Sequence, residues 1–151
     1  MWKDRPGLTI TMKRFDGRVI DIKACENNLG DKSVLLLALH AISEGDSVSY
    51  PYGQGKLSFI KVMMKYDLLF LNNIGELNTP DCELLEIGSK VFGLMYCGKD
   101  TYTMNDARFK MFSRQSAKTP RLKSLPPTNE PLIQHMKRCH LQIITWSCPS
   151  N

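Results

Sequence analysis

Residues 35–63 read LLLALHAISEGDSVSYPYGQGKLSFIKVM, and this stretch decides the fold. With Val34 in front, the run VLLLALHAI over 34–42 is apolar on nearly every side, the mark of a buried helix rather than an amphipathic one. A helix is expected over 31–43, with Asn28 or Asp31 able to cap its start. His40 interrupts the run and reads as a core histidine with its hydrogen bonds satisfied. Residues 44–55 are polar and rich in glycine. Helical spacing then resumes over 56–65, with Leu57, Ile60 and Met64 on one side.

Working outward, residues 8–15 and 18–24 each alternate apolar and polar side chains, and Asp16-Gly17 joins them. Asp-Gly between alternating runs signals a β-hairpin whose two turn positions both take positive φ. On the C-terminal side, residues 66–78 are ambiguous, with a break at Asn72, Asn73 and Gly75. Thr79 and Pro80 suit the N-cap and first position of a helix that ends at Gly98. Thr103, with Asp106 three residues on, has capping-box spacing. Residues 116–127 hold three prolines and read as an extended loop. Thr128 then caps a last helix, and Leu132, Met136, Cys139, Ile143 and Trp146 fall on one stripe of it. The fold class is mostly α with a small N-terminal β-hairpin.

At 151 residues the chain has the size of one domain and can bury a core without disulfides or metals. No stretch approaches the roughly 18 apolar residues of a membrane span, and the polar start lacks a signal-peptide core. Five cysteines (25, 82, 97, 139 and 148) include no Cys-x-x-Cys pair, and the count is odd. Reduced thiols in a nuclear or cytoplasmic setting fit that usage. The formal charge of +5 is unevenly spread. Residues 66–100 carry six acids and two bases, whereas residues 101–151 carry eight bases and two acids. A basic C-terminal third, including Lys137 and Arg138, suits phosphate backbones or forms a solvated face without a partner.

Chemistry-bearing residues are few. Gly53, Gly55 and Lys56 form a Gly-x-Gly-Lys element leading into a helix, which offers backbone N–H groups and a cation to a phosphate, with Lys61 one turn further. His135 and Cys139 share a helix face beside His140 and could form half a zinc site, but the complementary pair is missing. A structural, buried Cys139 fits its place in the apolar stripe. No Gly-x-Ser-x-Gly nucleophile motif occurs.

The order apolar helix, Gly45-Asp46, polar loop, Gly53-Gln54-Gly55-Lys56 and second helix resembles the Gly-Cys-Asp and Gly-Ile-Gly element of flap endonucleases and their PIN-like relatives. Most of the chain, in segments such as NDARFKMF and LPPTNEPLIQHMKRCHLQIITW, is similar to the C-terminal half of a large, multicopy group of animal proteins of mobile-element type. The resemblance implies a truncated α/β PIN-like fold, with residues 1–65 a remnant of a nuclease-like core and 66–151 a helical extension. It places Asp46 at a catalytic Mg²⁺ or Mn²⁺, and Gly53, Gly55 and Lys56 in a helix–two-turn–helix element that holds DNA. Glu44 stands where that family has a small glycine. The family's upstream acidic strand would precede residue 1, and Asp46 alone cannot hold two metals about 4 Å apart. Asp21, Asp31 and Glu44 are candidate substitutes. The readings therefore stand between a nuclease-derived domain, inactive alone, that binds nucleic acid weakly, a protein-interaction or structural remnant with no nucleic-acid role, and a metal-dependent nuclease completed by another chain; a protein partner or self-association through exposed apolar surface is also expected.

Overall fold

The computed structural model describes residues 10–44, 51–100, 103–115 and 121–147. It is mostly helical with a two-stranded hairpin near the N-terminus. The chain divides into two compact units, residues 1–34 and 35–151.

In the first unit, β1 (Thr11–Lys13) pairs antiparallel with β2 (Val19–Asp21), Met12 opposite Ile20. The connection differs from the expected two-residue turn. Gly17 alone takes a positive φ, and no other residue type does among those described. The Gly17 N–H donates to the Arg14 carbonyl at 3.0 Å and the Arg14 N–H to the Arg18 carbonyl at 2.8 Å. This is a three-residue loop with glycine in the left-handed place, which spares Asp16 that conformation. The second strand is also shorter than the alternation over 18–24 implied. The Asp21 carboxylate accepts from the N–H groups of Lys23 and Ala24, so it caps α1 (Ile22–Leu29) and turns strand into helix.

The second unit holds α2 (Leu36–Glu44), α3 (Lys56–Lys65), α4 (Asp81–Cys97), α5 (Met104–Arg114) and α6 (Asn129–Ser147). The expected helix over 31–43 is split, because Gly30–Leu35 is a 3₁₀ stretch and α2 begins only at Leu36. Leu69–Asn73 is also 3₁₀, where the sequence was ambiguous. Helix α4 starts one residue later than expected, with Pro80 at the N-cap. Helix α5 starts as expected: the Thr103 hydroxyl accepts from the Asp106 N–H at 3.2 Å and donates to its carboxylate at 2.6 Å.

Packing runs α4 on α6 and α5, α2 on α6 and α3, and α3 on α4. Leu132, Met136, Cys139 and Ile143 of α6 are buried, as their stripe implied, whereas Trp146 at the end of the same stripe is exposed. Leu84, Ile87, Val91 and Phe92 face them or the core from α4. Helices α4 and α6 approach closely at Gly88, where an added Cβ would lie 2.7 Å from Met136 Cγ. Among the described residues, no helix is long and apolar enough to cross a membrane. Cys25, Cys82, Cys97 and Cys139 are free thiols.

The turn after the 3₁₀ stretch is pinned to α6. The Gly75 N–H donates to His140 Nδ1 at 3.0 Å. Gly75 has φ of 100°, and a Cβ there would lie 2.5 Å from Ile143 Cγ2. Backbone strain and overpacking therefore act in the same direction, and Gly75→Ala is expected to lower stability by about 2 kcal/mol or more. Urea denaturation checks this through a lowered midpoint at unchanged slope. An unchanged midpoint would mean that the turn does not lie against α6.

Candidate functional site

Helix α2 reaches its last turn at Ala41, Ile42 and Ser43, all buried. The last carbonyls of a helix lack intrahelical donors and need others when buried. Two side chains of α6 supply them. His135 Nε2 lies 2.9 Å from the Ile42 carbonyl, and the Cys139 thiol donates to the Ala41 carbonyl at 3.3 Å. A carbonyl can only accept, so the His135 hydrogen is on Nε2.

The same atoms bring Cys139 Sγ within 3.5 Å of His135 Nε2. That distance would suit a cysteine nucleophile with its base, but the protonation does not. Burial pushes the Cys139 thiol up to about 12, against smaller opposing effects of Arg138 and the backbone. Burial also holds His135 below the ordinary imidazole value; the Ile42 hydrogen bond opposes this and the Arg138 charge adds to it. The imidazole nitrogen nearest sulfur already carries its proton towards Ile42, so it cannot take the thiol's. A neutral thiol and a neutral imidazole close the end of a helix. His140 contributes to no zinc site with them, because its Nδ1 accepts from Gly75. Among the described residues, no group of three histidines, cysteines or acids is placed to hold a metal ion.

Two sequence expectations about α2 are corrected. His40 is not a core histidine: it is exposed, and its ring stacks on Trp146 with centroids 5.5 Å apart. His135, read at first only for metal, is the buried one. Nor is the apolar run buried all round. Leu35 and Leu39 are in the core, but Leu36 and Leu37 are 39% and 40% exposed. Helix α6 covers one side of α2 and α3 another, and two helices do not enclose a third.

On helix α3 the side that packs is not the one that Leu57, Ile60 and Met64 share. Phe59 and Met63 turn inward, while Leu57, Ile60 and Met64 turn outward, with Leu57 74% and Met64 55% exposed. Phe59, Val62, Met63 and Tyr66 form a second apolar stripe at helical spacing, and this is the one that packs. An aromatic residue in that stripe, against aliphatics alone in the other, was the available signal. Lys56, Lys61 and Lys65 are exposed on the same outer face, and α3 carries no acid. A dent of about 100 Å³ lies beside the ridge, lined by Leu36, Leu39 and His40 of α2 and by Lys56, Phe59 and Ile60 of α3.

Asp46 lies outside the described residues. Gly53 takes φ of 72°, and Gly55 is the extended N-cap of α3, without a side-chain cap. Lys56 and Lys61 therefore share α3, whereas Lys137 and Arg138 are on α6, and α2 and α4 each pack against both helices. Lys137 is engaged with Asp81 of α4 at 2.5 Å. Asp21, a candidate metal ligand, is the cap of α1. A second groove, of about 230 Å³, is lined by Tyr52, Phe92, Tyr96, Pro127, Pro131 and His135 among others. Burial raises the Tyr96 phenol to about 12, so that groove presents neutral groups. No family model, no curated protein and no solved structure matches the chain.

The buried imidazole gives the fold an acid sensitivity of known sign. His135 in the fold titrates below its unfolded value of about 6.5. Between the two values the unfolded chain binds more protons, so this contribution is complete above pH ~6.5 and is lost as pH falls towards the folded value. Thermal melts between pH 7.5 and 5 are expected to show a falling midpoint. His135→Gln, which keeps an N–H near the Ile42 carbonyl, is expected to flatten that fall; an equally steep loss would place the sensitivity elsewhere.

Proposed function

We propose that the helical unit is a binding module whose working surface is the outer face of α2 and α3, and that it holds an anionic, partly apolar partner there. The observation that carries this reading is the outward turn of Leu57, Ile60 and Met64 between lysines, on a helix whose other side is already packed. Single exposed hydrophobics are ordinary on protein surfaces, but a contiguous apolar patch rimmed by polar groups marks interaction sites. Leu36 of α2, which lines the dent with Ile60, enlarges the apolar surface, and Lys56, Lys61 and Lys65 supply the charge.

A second reading is a nuclease-derived domain that holds nucleic acid, with the truncated PIN-like fold as its origin. The Gly53–Gly55 loop leading to Lys56 and Lys61 favours it, as does the basic balance of residues 101–151. Against it, aliphatic side chains gain little from a phosphodiester backbone, and single-strand binders present aromatic rings for stacking. Asp46 is the residue this reading would assign to Mg²⁺ or Mn²⁺.

Anilinonaphthalene sulfonate tests the first reading, because it joins an apolar ring system to an anion. The native chain is expected to enhance its fluorescence saturably at neutral pH. Ile60→Glu and Lys61→Glu are each expected to weaken that binding severalfold at an unchanged melting temperature. Absence of binding, or binding insensitive to both substitutions, would remove the α2–α3 face as the working surface. Displacement of the dye by duplex DNA, steeply weakened by salt, would instead favour nucleic acid.

A further inference from the structure

We propose that the α2–α3 face receives an acidic amphipathic helix of another protein, which seats one large aliphatic side chain in the dent beside Lys56. The inference rests on the reading of this face as a docking surface and names the partner's chemistry.

The shape of the face points to a helix. Leu57, Ile60 and Met64 rise along α3 over seven residues, about 10 Å at 1.5 Å per residue. That is two turns of a helix laid alongside, the length over which anchors at i, i+3 and i+7 would register. The dent adds a concave element. Its volume of about 100 Å³ is on the scale of one aliphatic side chain, since an enclosed cavity of about 150 Å³ holds a benzene-sized group. It is lined by the apolar Leu36, Leu39, Phe59 and Ile60, together with His40, Ser43 and Lys56. A protein helix can hold one side chain at a fixed place to fill it. A fluid acyl layer gains nothing from a dent of set size.

Charge selects the partner's sign. At about 100° per residue, Lys56 falls on one side of the ridge and Lys61 and Lys65 on the other. A helix with carboxylates flanking its apolar stripe meets opposite charge along both edges, which fixes orientation and raises the association rate. A second copy of this chain does not fit. A two-fold contact sets the same patch against itself, and here it would oppose lysine to lysine with no acid on α3 to relieve it.

The probe is a synthetic 20-residue helical peptide with leucine at i, i+3, i+4 and i+7 spacing and glutamate elsewhere, labelled for fluorescence anisotropy. Its counterpart carries lysine in place of glutamate. The whole chain is expected to bind the acidic peptide at least tenfold more tightly than the basic one. Ile60→Glu and Lys61→Glu are each expected to weaken that binding at least tenfold, with the helical circular dichroism and melting temperature retained. Lys61 is exposed, so its substitution keeps the test decisive should Ile60→Glu disturb folding. No binding of the acidic peptide, or binding indifferent to both substitutions, overturns the proposal. So does Ile60-dependent binding to phosphatidylserine vesicles or duplex DNA without peptide binding, which assigns the face to lipid or nucleic acid. If the sulfonate dye occupies the face and the peptide does not, the acidic helix falls and the docking surface stands; if the dye fails too, both fall.

Discussion

Two buried carbonyls at the end of α2 govern the helical unit. Left without donors, the Ala41 and Ile42 oxygens would cost on the order of 1–3 kcal/mol each. Cys139 and His135 meet them from one face of α6, four residues apart and so one above the other. Both donors must be neutral to be tolerated where they lie, and burial keeps them so. The contact fixes where α6 crosses α2. The close approach at Gly88 then fixes α4 against α6, and the Gly75–His140 bond ties the preceding turn to the same helix. Helix α3, packed on α2 and α4, is left with its outer side towards solvent.

How far the sequence was legible follows from which signals were local. Thr103 with Asp106, the span of α3, the apolar stripe of α6 and the hairpin around Asp16-Gly17 all depend on residues close in the chain, and these elements appear where those residues put them, although the hairpin's loop is one residue longer than expected. Boundaries that depend on competition were less readable. Asp21 could extend a strand or cap a helix, and capping wins because one carboxylate oxygen satisfies two N–H groups. The split of the expected 31–43 helix into 3₁₀ and α segments has no local signature that we can name.

Orientation was the part least visible. A run apolar on every side does not tell which of its residues meet a neighbour: His40, inside such a run, is exposed, while His135, weighed as half of a zinc site that lacks its complementary pair, is buried. Helix α3 carried two apolar stripes, and periodicity alone gives no rule for choosing between them. The packed stripe contains Phe59 and the outer one is broken by lysines at its flanks. The candidate site is therefore half legible: Lys56 and Lys61 stand out by charge, while spacing gives the aliphatic ridge between them only as one side of a helix. Lys137 and Arg138 were grouped with them by charge, although α6 presents them from a different helix and Lys137 has Asp81 as its partner.

The docking face requires that α3 turn Leu57, Ile60 and Met64 to solvent, and two adjacent methionines report which way it faces. Met63 is wholly buried and Met64 is 55% exposed. With methyl-labelled methionine and a soluble paramagnetic agent, the Met64 methyl resonance should broaden strongly while that of Met63 stays sharp, each assigned by substitution with leucine. Equal broadening, or a protected Met64 beside an exposed Met63, would contradict the orientation of α3 and with it the docking face.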